Sequence, residues 1–207
     1  MVDITETSER VHAKAHELFM QYGLRSVSMD DIANNLGISK KTIYLYYADK
    51  DALVNDVVDT VITDNEATCD QGRKKAANAI QEVFIAMDKV VEMFKTMNPS
   101  VLFDMQKYYP KAFQKFLKHK NDYLYNAIKE NISRGIKEEL YRPDVKIEIL
   151  SRYRVESILI PFNPEFILKT KSGIVEIENE LSLHFLYGLS TLKGYKLIQK
   201  YQQERTK

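Results

Sequence analysis

Apolar positions along the chain recur at helical spacing almost from end to end. From Ser8 to Tyr22, the residues Ala15, Leu18, Phe19 and Tyr22 follow Val11 at 4, 7, 8 and 11 positions, the stripe of a helix with one buried face. Gly23 then stands where a left-handed residue closes a helix. Ser28, with Asp31 three residues on, has the pattern of a capping box, and Ile32, Ala33 and Leu36 share one face behind it. Gly37 interrupts, Ile38 plugs the turn, and Ser39 caps again. The next helix carries Lys40, Lys41, Thr42 and Tyr44 early, with Ile43 and Tyr47 turned to the core. Asp49 caps a fourth helix, which Val54, Val57, Val58, Val61 and Ile62 carry to about Cys69. Gln71-Gly72 predicts a break.

A broad apolar face then runs from Arg73 to Met97. Asn98-Pro99 opens a short helix, and Pro110 starts a long one reaching about Leu140, with Gly135 inside it as a point of close packing or a kink. Arg142-Pro143-Asp144 is a turn. Val145 to Ile160 is helical, Pro161 and Pro164 end it, and Phe162, Phe166, Ile167 and Leu168 form a short apolar segment. Ile174 to Tyr201 closes the chain, with a bend at Gly188–Thr191. No strand alternation, internal repeat or low-complexity tract intervenes. The expectation is an all-α fold of about nine or ten helices: a three-helix head over residues 1–50, then a larger helical domain over 51–207.

Composition narrows the class. Seven Gly and five Pro suit long helices, and 44% apolar content supports a core. No apolar run approaches the roughly 18 residues of a membrane span, and the polar, acidic start is unlike a signal peptide. The expectation is a cytoplasmic protein without a membrane partner. The single Cys69 excludes an internal disulfide and a cysteine metal cluster, and it reads as a small apolar residue. His119 and His184 are isolated, so neither a metal site nor a cofactor is expected. No nucleophile–base pair or phosphate loop is present, which argues against an enzyme.

Net charge is +1, and residues 1–50 hold seven acids against six bases, yet Gly37 to Lys50 hold three lysines and one acid. A local basic edge on a neutral chain fits a small DNA contact repeated by dimerisation. The Ser28–Lys50 layout is that of a helix-turn-helix, whose second helix offers its first residues to base edges. Lys40 and Lys41 can reach guanine O6 and N7 or a phosphate. Tyr44 can meet a phosphate or a thymine methyl. Ser39 and Thr42 serve the cap or phosphates, and Ser28 and Met29 bring the amides of the second helix to the backbone. Lys50 joins an ammonium to a helix N-terminus, both favouring an anion.

These residues also carry a resemblance. Ala15-x-x-Leu18-Phe19-x-x-Tyr22-Gly23, Ser28 to Ala33, Leu36-Gly37-Ile38-Ser39, Thr42 to Tyr47 and Lys50-Asp51-Ala52-Leu53 together resemble the N-terminal domain of the TetR family of bacterial transcriptional regulators. The family usually has His-Phe where this chain has Tyr46-Tyr47, and a small residue where Lys41 stands. By this resemblance Tyr46 is a phosphate contact, and the chain is a homodimer formed through its last two helices. The resemblance also implies that the head binds half of a palindromic double-stranded operator and that the larger domain takes a small-molecule effector.

Residues 72–170 are rich in aromatics and methionines, and Phe84, Met87, Phe94, Met105, Tyr108, Tyr109, Phe113, Phe116 and Tyr123 are candidates to line an effector cavity or simply to form core. Lys107, Lys111, Lys115 and Lys118 read as a solvated face, with an anionic ligand as the alternative. The leading functional reading is a ligand-responsive repressor. The alternatives are an activator or ligand-independent regulator, and a helical carrier or enzyme that does not bind DNA.

Overall fold

The computed structural model describes residues 4–205. They form α1 (Ile4–Tyr22), α2 (Met29–Leu36), α3 (Lys40–Tyr44), α4 (Lys50–Lys75), α5 (Ala79–Thr96), α6 (Ser100–Tyr108), α7 (Pro110–His119), α8 (Tyr125–Lys137), α9 (Ile147–Ser157), α10 (Pro164–Thr170), α11 (Ile174–Leu189) and α12 (Leu192–Arg205). A π turn, Lys120–Leu124, joins α7 to α8 without a break, so eleven separate helices result among the described residues, and a 3-10 turn, Ile160–Phe162, precedes α10. The fold is all-α, as the periodicity predicts.

Two local expectations are overturned. Gly72 does not end a helix: α4 runs on to Lys75, with Arg73, Lys74 and Lys75 in its last turn, where the helix dipole favours cations. One glycine in a helix costs only about 1 kcal/mol. The break instead falls at residues 76–78, where the Asn78 side chain accepts the Gln81 N–H at 2.9 Å and begins α5. Tyr22 does not complete the buried stripe of α1, because it is 51% exposed while Val11, Ala15, Leu18 and Phe19 are buried.

The chain divides into two compact units. The first contains the residues up to Asp64 together with Thr96–Leu117, so it includes α6 as well as the three-helix head. Its buried residues include Leu18, Phe19, Leu24, Ile32, Ile43, Leu53 and Val54 from the head, and Val101, Leu102, Met105 and Tyr109 from α6 and the residue after it. Burying side chains of this size contributes about 1.5–3 kcal/mol each. Polar bonds add direction to this packing. The Asn98 N–H donates to the Met20 carbonyl at 2.6 Å, and the Arg25 N–H donates to Asp104 Oδ2 at 2.9 Å. Gly23, at φ +87°, fits between them because a Cβ there would lie 2.6 Å from Ser100 Oγ.

The second unit contains Asn65–Lys95 and the chain from Lys118 onward. Its core gathers Ile80, Phe84 and Met87 of α5, Ile132 of α8, Tyr141, Phe185, Leu186 and Leu189 of α11, and Ile198 of α12. Gly135 is the close approach that its position in α8 allows: a Cβ there would fall 2.0 Å from the ring of Tyr141, which is fully buried and donates its hydroxyl to Asn131. α11 ends at Ser190, and Thr191 starts α12 by accepting the Gly194 N–H at 3.2 Å, as the bend at Gly188–Thr191 predicts. Arg154 of α9 and Glu178 of α11 form a buried ion pair that Ser157 and Ser182 complete. His119 is not isolated: it is buried between Glu66 and Asn65 of α4, each 3.1 Å from a ring nitrogen, and Tyr123 stacks on it. Cys69 is half-buried, and burial pushes its thiol up in pKa.

Candidate nucleic-acid interface

The helix-turn-helix is fixed by its own short-range bonds. The Ser28 hydroxyl accepts the Asp31 N–H at 3.1 Å, and Asp31 Oδ2 accepts the Ser28 N–H at 2.7 Å and the Ser28 O–H at 2.6 Å. Those bonds hold the Asp31 carboxyl below its usual pKa. Gly37, at φ +66°, closes α2 with N–H bonds to Ala33 and Asn34, and the Ile38 N–H returns to Ala33 at 3.1 Å. Ser39 restarts the chain: its hydroxyl accepts the Thr42 N–H at 3.1 Å and lies 2.8 Å from the Thr42 hydroxyl. Ile32 and Ile43 are fully buried beneath the turn. The result is a five-residue α3 with caps before it and the fixed body of α2 behind it.

The candidate contacts fall into three groups. Lys41 and Tyr44 project from α3 into solvent, and Tyr44 is 45% exposed. Lys40 is also exposed, but its ammonium is 2.7 Å from Asp30 of α2, which pushes its pKa up. In the second group, Ser28, Ser39 and Thr42 spend their hydroxyls on caps. Met29 is buried, so its side chain is not a surface contact. Tyr46 is half-buried.

Lys50 forms the third group. Its ammonium turns inward, 2.5 Å from the Leu24 carbonyl and 3.4 Å from that of Arg25, with the rings of Phe19 and Tyr109 at 5.8 and 5.6 Å. Burial lowers its pKa, and Asp104 offsets part of that. The α4 N-terminus thus carries a charge spent largely on the α1–α2 loop. Beneath α3, Tyr47 donates to Asp56 at 2.7 Å, and burial, with that bond, pushes the phenol up to about 12.

Leu45 falls outside the sequence candidates, yet it is 74% exposed at the end of α3. An apolar residue at this place gives no sign of facing outward in the sequence; the end of α3 at Tyr44 is what leaves Leu45 outside the helix and exposed. A shallow depression of about 200 Å³ beside α3 is lined by Thr7, Arg10, Leu36, Ile38 and Thr42. It brings Arg10 of α1 next to the reading helix, a juxtaposition that sequence spacing cannot supply.

The matches to known proteins fall on this same region and beyond it. Residues 12–57 match the family described as "Bacterial regulatory proteins, tetR family". The head thus carries a TetR-family DNA-binding domain. The HTH-type transcriptional regulator YvaF of Bacillus subtilis is 30% identical over 106 residues, which are 51% of this chain and 55% of YvaF. The match thus spans about half the length of that relative. Among solved structures, a TetR-family regulator from Agrobacterium tumefaciens superposes with a TM-score of 0.75 at 14% identity, covering 91% of this chain and 100% of that one. FadR of Bacillus subtilis, solved with stearoyl-CoA, superposes with a TM-score of 0.63 at 14% identity, covering 87% and 98%. These superpositions extend the likeness in fold well beyond residues 12–57.

The nine effector candidates are distributed between the two units. Met105 and Tyr109 are buried in the first unit, where burial pushes the Tyr109 phenol up to about 12. Tyr108 lies under Arg25, and Phe113 stacks on Phe116 at 6.2 Å. In the second unit, Phe84 packs against Tyr201 at 5.6 Å, Met87 is buried, and Phe94 meets Phe162 edge-on at 5.1 Å. Tyr123 donates to the Glu66 carbonyl at 2.9 Å.

Proposed function

We infer that this chain is a DNA-binding transcriptional regulator, a repressor that holds a palindromic operator as a homodimer and releases it when a small molecule binds the larger domain. One observation carries the reading: a capped α3 that displays Lys41, Tyr44 and Leu45 to solvent from a rigid turn. A helix so short has no stability of its own. Its caps and buried Ile43 hold it so that its outer face is free for DNA. Dimerisation through α11 and α12 is supported by the exposed apolar residues of α12, Leu192 at 73% and Tyr195 at 44%. No described helix is long and apolar enough to cross a membrane, and the reading places the protein in the cytoplasm with the DNA.

Release follows from linkage. An effector that binds one arrangement of the protein more tightly than another shifts the population by that difference in affinity. α4 has its first turns in one unit and its last in the other, which makes it the route between effector and DNA. The aromatic interior of the second unit suits an apolar or amphipathic effector, and FadR, of similar fold, holds stearoyl-CoA.

Selection of bound duplexes from a random DNA pool tests the reading. The expected product is a near-palindrome with half-sites about 34 Å apart, or a multiple of one helical turn. A pool that shows no enrichment over repeated rounds overturns it.

A further inference from the structure

Where α6 meets the α1–α2 loop, two cations share one aromatic ring. The Arg25 guanidinium lies 5.0 Å from the centroid of the Tyr108 ring, and the Lys107 ammonium lies 5.4 Å from the same centroid and 5.5 Å from that of Phe103. Both cations are exposed. Neither charged group meets a carboxylate among the described residues, whereas Lys40 and Lys115 of the same unit are ion-paired with Asp30 and Asp59. The buried carboxylate nearby, Asp104, is taken by the Arg25 backbone N–H and the Ser100 hydroxyl. Two like charges held on one ring repel each other, and a bound anion would relieve that repulsion.

The position of this patch indicates which anion. Arg25 precedes the Ser28 cap of α2 by three residues. Tyr109, the next residue after Tyr108, lies against Lys50 at the start of α4. Both helix N-termini are phosphate positions in the regulatory reading. The patch therefore adjoins both of those helix starts. An aromatic side chain between cations also matches the chemistry of backbone recognition, with charge for phosphate and a flat apolar surface for the sugar edge.

We propose that Arg25 and Lys107 grip backbone phosphates flanking the operator half-site, so that α6, outside the helix-turn-helix, takes part directly in DNA binding. This rests on the regulatory reading above and adds a contact that the motif does not contain. It predicts a footprint wider than the half-sites and insensitive to the sequence of the added steps, since phosphate contacts carry no base information.

The test compares two duplexes carrying a site recovered from the random pool, one trimmed to its half-sites and one extended by about one helical turn at each end. Affinity is read by fluorescence anisotropy against salt concentration. On the long duplex, the double variant Arg25→Ala, Lys107→Ala should lower the slope of log K against log salt by about 1.8, or about 0.9 for each phosphate no longer neutralised. Between about 50 and 200 mM salt, the affinity of the parent would then fall about 12-fold further than that of the variant. Lys107→Gln alone, away from the loop, should lower the slope by about 0.9, and the charge-preserving pair Arg25→Lys, Lys107→Arg should restore the parent slope. On the trimmed duplex, parent and variants should match. Equal slopes for parent and double variant on the long duplex overturn the proposal while leaving the regulatory reading intact. A parent protein that binds neither duplex overturns both.

Discussion

Two glycines in left-handed conformation allow the cost of packing to be separated from the cost of backbone strain. Gly23 has φ +87° and Gly37 has φ +66°. Placing alanine in that region costs about 1–2 kcal/mol in either case, because the new Cβ crowds its own carbonyl. The surroundings differ. Nothing lies within 4 Å of a Cβ at Gly37, whereas one at Gly23 would meet Ser100 Oγ at 2.6 Å and Asp104 Oδ2 at 3.0 Å. The serine hydroxyl can rotate away. The carboxylate cannot retreat freely, since the Arg25 N–H holds it at 2.9 Å. Overpacking of this kind adds about 1–3 kcal/mol. Gly37→Ala should therefore destabilise by about 1–2 kcal/mol and Gly23→Ala by about 2–5 kcal/mol. At about 2–4 °C per kcal/mol for a chain of this size, the first variant loses a few degrees of melting temperature and the second about 10 °C. Circular dichroism melts of parent, both variants and the pair Gly23→Ala, Ser100→Ala measure this, and the pair should recover only part of the loss because Asp104 remains. Equal losses for the two single variants would refute the view that α6 closes tightly on the α1–α2 loop.

Other outcomes follow from the same contacts. Gly135→Ala, usually a gain of about 1 kcal/mol inside a helix, should instead cost about 1–3 kcal/mol because the Tyr141 ring occupies the space; a raised melting temperature would contradict the packing. Partial desolvation by the surrounding helices, together with the neighbouring His12, lowers the pKa of His16, although the residue keeps an exposed edge. The folded chain then binds fewer protons there than the unfolded chain, so this contribution to stability is present above pH 6.5 and is lost as the pH falls below it. His16→Gln should accordingly narrow the difference between melts at about pH 7.5 and pH 5.5, and an unchanged difference counts against a lowered pKa at His16. Lys41→Ala should weaken DNA binding and, if its partner is a phosphate, reduce the salt slope by about 0.9. Lys50→Ala should act chiefly on stability, by about 1.5–3 kcal/mol, the worth of a charged hydrogen bond to the Leu24 carbonyl; full stability with a reduced slope would return Lys50 to the phosphate role.

What is legible in the sequence is local. The capping box at Ser28 and Asp31, the left-handed Gly37 and the Ser39 cap are each closed by bonds spanning three to five residues, and residue types at fixed offsets specify them. The bend at Gly188–Thr191 belongs to the same class. What escapes is non-local. Lys50 reads as a phosphate contact from its place at a helix start, but its ammonium is held by a carbonyl 26 positions earlier in the chain. Arg25 and Asp104 are 79 positions apart, and no periodicity links them. His119 looks solitary in the sequence for the same reason, its partners lying 53 and 54 positions away. Aromatic content locates an apolar domain without telling which rings pack on one another.

The π turn between α7 and α8 has a consequence for tracing descent. A turn that holds one additional residue displaces every later side chain by one position, about 100° of helical phase. Ala112, Phe116 and His119 before it and Ala127, Asn131 and Gly135 after it keep one face toward protein only because Lys120–Leu124 absorb that step. A relative lacking the insertion would align without a gap up to His119 and then be out of phase by one residue through the rest of α8, although both helices look uninterrupted. Comparison of this stretch across relatives therefore calls for a single-residue gap in mid-helix, where alignment practice is least willing to place one.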